Sequence, residues 1–247
     1  MSEMNSGTKI FAKDFVLNNF PLPLRGQAGL QHAADLFLEH SSKIKLHEDT
    51  NYLLYVSQIC IALALLMLLL PLMIIIFAAI KLTSRGPGIY SQKRVGKNGH
   101  EFLIYKFRTM VLNAEESSGA ILSWQGDPRI TALGKFLRAT HLDELPQLIN
   151  VLKGEMSFIG PRPERKEIIK TFVGQVKGYN KRSVVLPGIT GLAQICCPYD
   201  ATPELKLKYD LYYIYNRSSL ILNLMILFYT IGKFYYGIVG DTSRQQT

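Results

Sequence analysis

The chain holds 247 residues, 48% of them hydrophobic, with 28 Lys+Arg against 19 Asp+Glu. That length accommodates one domain of ordinary size plus extensions, or two small domains, and the apolar share excludes a largely disordered protein. The net charge of +9 suits an anionic partner (nucleic acid, acidic lipid or a phosphorylated substrate) without choosing among them.

Residues 1–50 contain five Lys/Arg and six Asp/Glu, so the basic surplus belongs to residues 51–247, with 23 against 13. One amphipathic helix is predicted here, from about Leu30 to Ile44, and the remainder reads as loop. From Thr50 to Ile80 no residue carries a formal charge, and a membrane-spanning helix needs about 20 apolar residues. The run starts too late for a secretory signal, and no small-residue cleavage site follows it. Pro71 divides it, and an interior proline removes a backbone hydrogen bond and kinks or breaks a helix. Two topologies follow: a tilted, kinked helix that crosses once, or a broken helix that enters the bilayer and returns on the same side. Lys81, Arg85, Lys93, Arg94 and Lys97 crowd the C-terminal flank and put the bulk of the protein on the cytoplasmic side. The other flank has Lys43 and Lys45 beside Glu48 and Asp49, and this count by itself leans to a single crossing.

Residues 83–199 read as a mixed α/β unit. His100 to Arg108 alternates as a strand, with Leu103, Tyr105 and Phe107 on one face and Lys106 and Arg108 on the other. Leu133, Phe136, Leu137 and Thr140 follow helical spacing. Leu145, Leu148, Ile149 and Leu152 outline a second helix beginning near Pro146, since proline is well tolerated in a first turn. Cys60, Cys196 and Cys197 form neither a disulfide framework nor a metal-binding spacing, which favours a reducing compartment. Eight of the 13 tyrosines fall between Tyr199 and Tyr236. The apolar run Leu220 to Ile231 is too short for an ordinary span and suits a buried or interfacial helix.

The densest chemical signal is Arg138-Ala-Thr-His-Leu-Asp-Glu-Leu-Pro-Gln147. Asp143 and Glu144 are adjacent carboxylates at the apparent start of a helix, where free N–H groups and the helix dipole favour negative charge. A carboxylate can attack phosphorus to form an acyl phosphate, and two neighbouring carboxylates supply hard oxygen ligands for Mg2+. Simple helix capping is the commoner explanation of such a pair taken alone. Nineteen residues after Asp143, Gly160-Pro-Arg-Pro163 holds Arg162 on a stiff, extended segment suited to a bidentate phosphate contact. Taken alone, it equally describes a rigid turn with a solvated arginine.

Six motifs occur in order: Lys93-Arg-Val-Gly96, Tyr105-Lys-Phe-Arg-Thr-Met110, Asp127-Pro-Arg129, Leu142-Asp-Glu-Leu-Pro-Gln-Leu-Ile-Asn-Val-Leu152, Gly154-Glu-Met-Ser-Phe-Ile-Gly-Pro-Arg-Pro163 and Pro187-Gly-Ile-Thr-Gly-Leu-Ala-Gln194. Together they resemble the bacterial sugar transferase family of monotopic polyprenyl-phosphate hexose-1-phosphate transferases, over about residues 51–236. The resemblance implies a mostly helical α/β fold: a small membrane-associated catalytic domain with a proline-broken re-entrant helix and interfacial C-terminal helices. Its parts would be an N-terminal extension (1–50), the re-entrant helix (51–82), the cytoplasmic transferase domain (83–236) and a tail (237–247). It implies a two-step transfer of hexose 1-phosphate from a UDP-sugar to undecaprenyl phosphate at the bacterial inner membrane, catalytic domain facing the cytoplasm, in a surface or extracellular glycan pathway. Asp143 would be the nucleophile, and Glu144 would help bind Mg2+. Lys106, Arg108, Arg138 and Arg162 would orient phosphates, and Asp127, Arg129, Gln147 and Gln194 would contact nucleotide or sugar. Membrane lipids are expected partners, nucleic acid is not, and a homodimer is left open. Asn223 and Arg217 depart from the family's usual aspartate and aromatic residue at about those places.

Two rival classes remain for comparison. A basic nucleic-acid-binding membrane protein would explain the charge, yet no nucleic-acid module is recognisable and a membrane anchor makes acidic headgroups or phosphate substrates the simpler account. A non-catalytic membrane scaffold would need the Asp143–Glu144 pair and its arginines to be idle.

Overall fold

The structure is a computed structural model describing residues 52–114, 124, 126–198 and 201–239. The predicted helix from Leu30 to Ile44 lies outside the described residues. The chain is mostly helical with two small sheets, as a mixed α/β reading anticipates.

Helix α1 (Tyr52–Thr83) runs for 32 residues with Pro71 inside it. The expected interruption at Pro71 is absent: losing one N–H donor leaves the helical path intact on both sides, as a kinking proline allows. One side of α1 packs on the domain throughout. Ala62, Leu65, Leu66 and Leu69 meet Ile104, Leu148, Val151 and Met156, and Met73, Ile76 and Ile80 meet Phe107 and Leu137. The other sides expose Ile61, Met67, Leu68, Ile74 and Ile75. A helix apolar all round must be buried somewhere, and protein covers only a narrow part of this one.

Strands β1 (Ile89–Val95) and β2 (Glu101–Phe107) form an antiparallel hairpin, registered from Ile89↔Phe107 to Val95↔Glu101. Its reversal places Asn98 and Gly99 at positive φ, a conformation those two residue types tolerate. Ile104 and partly buried Phe102 pack toward α1 from one face of β2; on the other, Leu103 is exposed while Phe107 is buried against Met73, Ile76 and Ile80. Both faces of this strand offer apolar residues, so alternation alone could not tell which met the core. The consequence is functional, because Lys106 lies on the face of Phe102 and Ile104.

Helix α2 (Ala132–Ala139) begins at Thr131, whose hydroxyl accepts from the Gly134 N–H, a standard N-cap. His141 then adopts a left-handed conformation and a single 3-10 turn, Leu142–Glu144, precedes α3 (Gln147–Leu152). The carboxylate pair therefore stands ahead of the helix rather than in its first turn. Strand β3 (Ser157–Ile159) pairs in parallel with β4 (Gly188–Thr190). Between them come α4 (Lys166–Gln175) and the 3-10 segment Tyr179–Val184. Helices α5 (Leu192–Cys196), α6 (Pro203–Asn216) and α7 (Leu220–Val239) complete the chain. The apolar run expected to end at Ile231 is thus part of a 20-residue helix. Its Leu222 and Ile226 are buried with Leu207, Leu211 and Ile214 of α6, while Leu220, Ile221, Leu224, Phe228 and Ile231 are exposed.

Candidate active site

Four elements converge on the carboxylate pair. β2 supplies Lys106, whose Nζ donates to Glu144 Oε1 at 2.5 Å. The strap after β3 supplies Arg162, whose Nη2 donates to the same oxygen at 3.1 Å. The last turn of α2 supplies Arg138, tied through Nε to Thr109 Oγ1 at 2.8 Å. The 3-10 turn presents Asp143, 8% exposed, beside Glu144.

Glu144 takes both close cations, and among the described residues no ion pair closes on Asp143. Burial, with the neighbouring Glu144 carboxylate, pushes the Asp143 carboxyl up to about 6. Burial alone would raise Glu144 too, but Arg162 and Lys106 more than offset it and hold that carboxylate well below its usual range. Lys106 is itself drawn down by burial, with Glu144 countering. Two adjacent carboxylates are thereby split into a paired anion and a desolvated one, the arrangement expected where one must act as a nucleophile.

That split has a stability consequence. The folded state favours protonated Asp143, so ionisation costs stability as pH rises from the ordinary value of 3.8 through about 6. The cost is complete above that window, on the order of 1–3 kcal/mol. Asp143→Asn removes it. In metal-free buffer the variant is expected to melt higher than wild type at pH 7–8, with the gap closing below pH ~4. Thermal melts across pH check this, and an Asn variant less stable at neutral pH would contradict the burial argument.

The remaining predicted site residues divide. Arg108 is buried, and its Nη2 donates to Ser84 O and Oγ at 3.0 and 2.6 Å, tying down the end of α1, while its Nε and Nη1 have no partner among the described residues. Asp127 is fully buried and accepts from Arg129 Nε at 2.9 Å and Nη2 at 2.6 Å. Arg129 also lies over Trp124. Gln147, the first residue of α3, is buried, and its Nε2 has no partner among the described residues. Gln194 Nε2 donates to Ile189 O at 3.3 Å. Lys106, Arg138 and Arg162 are therefore the cations brought to Asp143 and Glu144. Arg94, Arg182 and Asp210 hold the strap; the sequence reading counted Arg94 only toward the basic flank and the Lys93–Gly96 motif, and nothing local linked the other two.

The donor set fits a divalent cation in one respect. Asp143 and Glu144 offer hard oxygens, and Mg2+ is commonly held by one or two carboxylates completed by substrate phosphates and water. No cluster of three or more His, Cys, Asp or Glu exists among the described residues, which disfavours a closed structural metal site.

A model of the bacterial sugar transferase family matches residues 50–237. A UDP-N-acetylgalactosamine-undecaprenyl-phosphate N-acetylgalactosaminephosphotransferase of Aeromonas hydrophila is 46% identical over 164 residues, 65% of this chain and 38% of that protein. A UDP-glucose:undecaprenyl-phosphate glucose-1-phosphate transferase of Klebsiella pneumoniae is 41% identical over 182 residues, 72% of this chain and 39% of that protein. The exopolysaccharide production protein ExoY of Sinorhizobium fredii is 35% identical over 187 residues, 70% of this chain and 81% of that protein. The chain thus spans under two-fifths of the first two relatives.

Proposed function

The chain belongs to the bacterial sugar transferase family, and from that premise we propose that it moves a sugar 1-phosphate from a UDP-sugar to undecaprenyl phosphate through Asp143. The observation that carries the reading is the division of labour in the carboxylate pair: Glu144 takes Lys106 and Arg162 as close partners, and Asp143 is left buried with no ion pair of its own among the described residues. The names of the relatives support the substrate classes.

In the first step an Asp143 carboxylate oxygen attacks the sugar-bearing phosphorus of the donor. The bond from that phosphorus to the bridging oxygen breaks, and the electron pair leaves with UMP. A sugar-phosphoryl aspartate remains. In the second step an oxygen of undecaprenyl phosphate attacks the same phosphorus, the acyl–phosphate bond breaks, and Asp143 returns as a carboxylate. The product is an undecaprenyl diphosphate sugar. Lys106, Arg138 and Arg162 surround this phosphorus with positive charge fixed before reaction, which is how a site of this kind lowers a phosphoryl-transfer barrier. Asp143 and Glu144 would hold Mg2+, whose contribution is to neutralise diphosphate charge. UMP release from a panel of UDP-hexoses and UDP-N-acetylhexosamines, with and without undecaprenyl phosphate, tests the reading. Dependence of turnover on the lipid phosphate supports it, and no UMP from any donor sinks it.

The site belongs at the cytoplasmic face of the inner membrane. Both ends of α1 are bound by the same domain: Gln58 Oε1 accepts from Ser157 Oγ at 2.7 Å and Phe158 N at 3.1 Å, and Ser84 O accepts from Arg108 at 3.0 Å. A crossing would put these anchors on opposite sides of a hydrocarbon core about 30 Å thick, dragging polar Ser157 and the hairpin with it. A helix lying in one leaflet, with both flanks cytoplasmic, avoids that cost. Lys81 in the last turn of α1, with Arg85 and Lys93 beyond it, marks that side. Single cysteines at Asn5 and Gly240, with Cys60, Cys196 and Cys197 replaced by serine, check it. Neither is expected to react with an impermeant thiol reagent outside intact cells; labelling at Asn5 would mean that α1 crosses.

A further inference from the structure

We propose that Arg182, fixed by Asp210, is a positioning residue for Arg162; the proposal rests on the function above, in which Arg162 contacts phosphate.

Residues 159–163 form a strap that carries Arg162. Pro161 and Pro163 have no N–H, so this segment can be held through few of its own donors. Gly160 N donates to Thr190 O at 2.9 Å, and Gly188 N donates to Pro161 O at 3.0 Å. That approach is so close that a Cβ on Gly188 would stand 2.1 Å from Gly160 N. Three side chains from elsewhere in the fold donate to further carbonyls of the strap. Tyr213 of α6 donates its hydroxyl to Ile159 O at 3.0 Å, Arg182 Nη2 donates to Arg162 O at 3.0 Å, and Arg94 Nη1 donates to Pro163 O at 3.2 Å. Arg162's own backbone is thus gripped at one atom by one guanidinium.

That guanidinium is fully engaged. Arg182 is 6% exposed, and Asp210 in the middle of α6 is 2% exposed. Arg182 Nε donates to Asp210 Oδ2 at 2.9 Å, Nη2 stands 2.7 Å from the same oxygen, and Nη1 donates to Tyr179 Oη at 2.9 Å. A planar fork satisfies these partners together, which a lysine point charge cannot do.

A buried ion pair is weak evidence for stability, because apolar residues of similar volume often do as well or better. Donating to the Arg162 carbonyl is what an apolar pair in this place could not do. The guanidinium so placed is half-exposed and reaches Glu144, leaving N–H groups for a substrate phosphate. Displacements of about 1 Å at such a contact cost up to about 10²-fold in rate. Helix α6, through Asp210 and Tyr213, therefore sets the geometry of a site that it does not itself line.

The test is the double variant Arg182→Met/Asp210→Leu, which removes the pair while keeping volume. It is expected to fold with an unchanged or higher melting temperature. UMP release from the donor that wild type turns over is expected to lose about 10–100-fold in kcat/KM. Added to Arg162→Ala, the same pair of substitutions is expected to cost less than about 3-fold more, since the effect runs through Arg162. Amide exchange at Gly160, Arg162 and Glu164 is expected to quicken while α2 and α3 stay protected, a readout independent of any donor. Arg182→Lys, which keeps the charge beside Asp210, repeats both measurements should the double variant not fold. Wild-type activity in the double variant, a loss that multiplies in full with Arg162→Ala, or unaltered exchange in the strap would overturn the proposal. Failure of wild type to release UMP would instead remove the functional reading and leave the exchange result standing.

Discussion

Asp143→Asn is expected to lower turnover by at least about 10⁴-fold, the scale seen when a covalent nucleophile is removed. Asparagine keeps the shape of the side chain and removes its charge, so the fold persists, with the higher neutral-pH stability argued above. The surrounding Lys106, Arg138 and Arg162 remain, and the donor still binds; the defect falls on kcat rather than KM. The steric match matters here, because an alanine would leave a cavity at a nearly buried position and confuse catalysis with packing. Steady-state kinetics paired with circular dichroism check the expectation. Activity within about 10-fold of wild type in a folded Asn variant would mean that another group attacks phosphorus.

Chelation is expected to have the next largest effect, taking UMP release to background, at least about 10³-fold down, with recovery on adding Mg2+. The charge inventory motivates this. Lys106 and Arg162 are already engaged with Glu144 Oε1, so the cations present are partly neutralised before a diphosphate arrives. An attacking carboxylate adds further negative charge at the same phosphorus. A hard divalent ion held by Asp143 and Glu144 would offset that repulsion, and Zn2+ should serve poorly where no His or Cys ligands gather. Turnover that persists in excess chelator would show that the three basic side chains suffice.

Much of this site was legible because its parts are local. Pro146 marked the start of α3, the spacing of Leu133, Phe136 and Leu137 marked α2, and two prolines announced a stiff segment around Arg162. The failures have physical causes. Arg108 continued the alternation of β2 on paper, but the last registered pair is Ile89↔Phe107, so the side chain beyond it is freed from the strand's alternation and turns to Ser84. The carboxylate pair was assigned to a helix start, whereas His141 at φ 52 ends α2 and inserts a 3-10 turn. The site's electrostatics come from three side chains as a result. Asp127 and Arg129, expected to contact nucleotide or sugar, are bound to each other by a pairing two residues apart. Arg182 and Asp210 are separated by 28 residues, and no periodicity connects a 3-10 segment with the middle of α6. Local patterns foretold elements; they did not foretell which charges would meet.

In the proposed reaction Asp143 carries the sugar phosphate between the two substrates. Peptide mass spectrometry of protein quenched after exposure to the donor without undecaprenyl phosphate tests this step. The predicted result is a sugar-phosphoryl adduct on the peptide holding Asp143, formed in step with UMP, absent from Asp143→Asn, and discharged to lipid-linked sugar when undecaprenyl phosphate is added. Lipid-linked product appearing in a single turnover with no adduct at any time, or an adduct on a different residue, would contradict it.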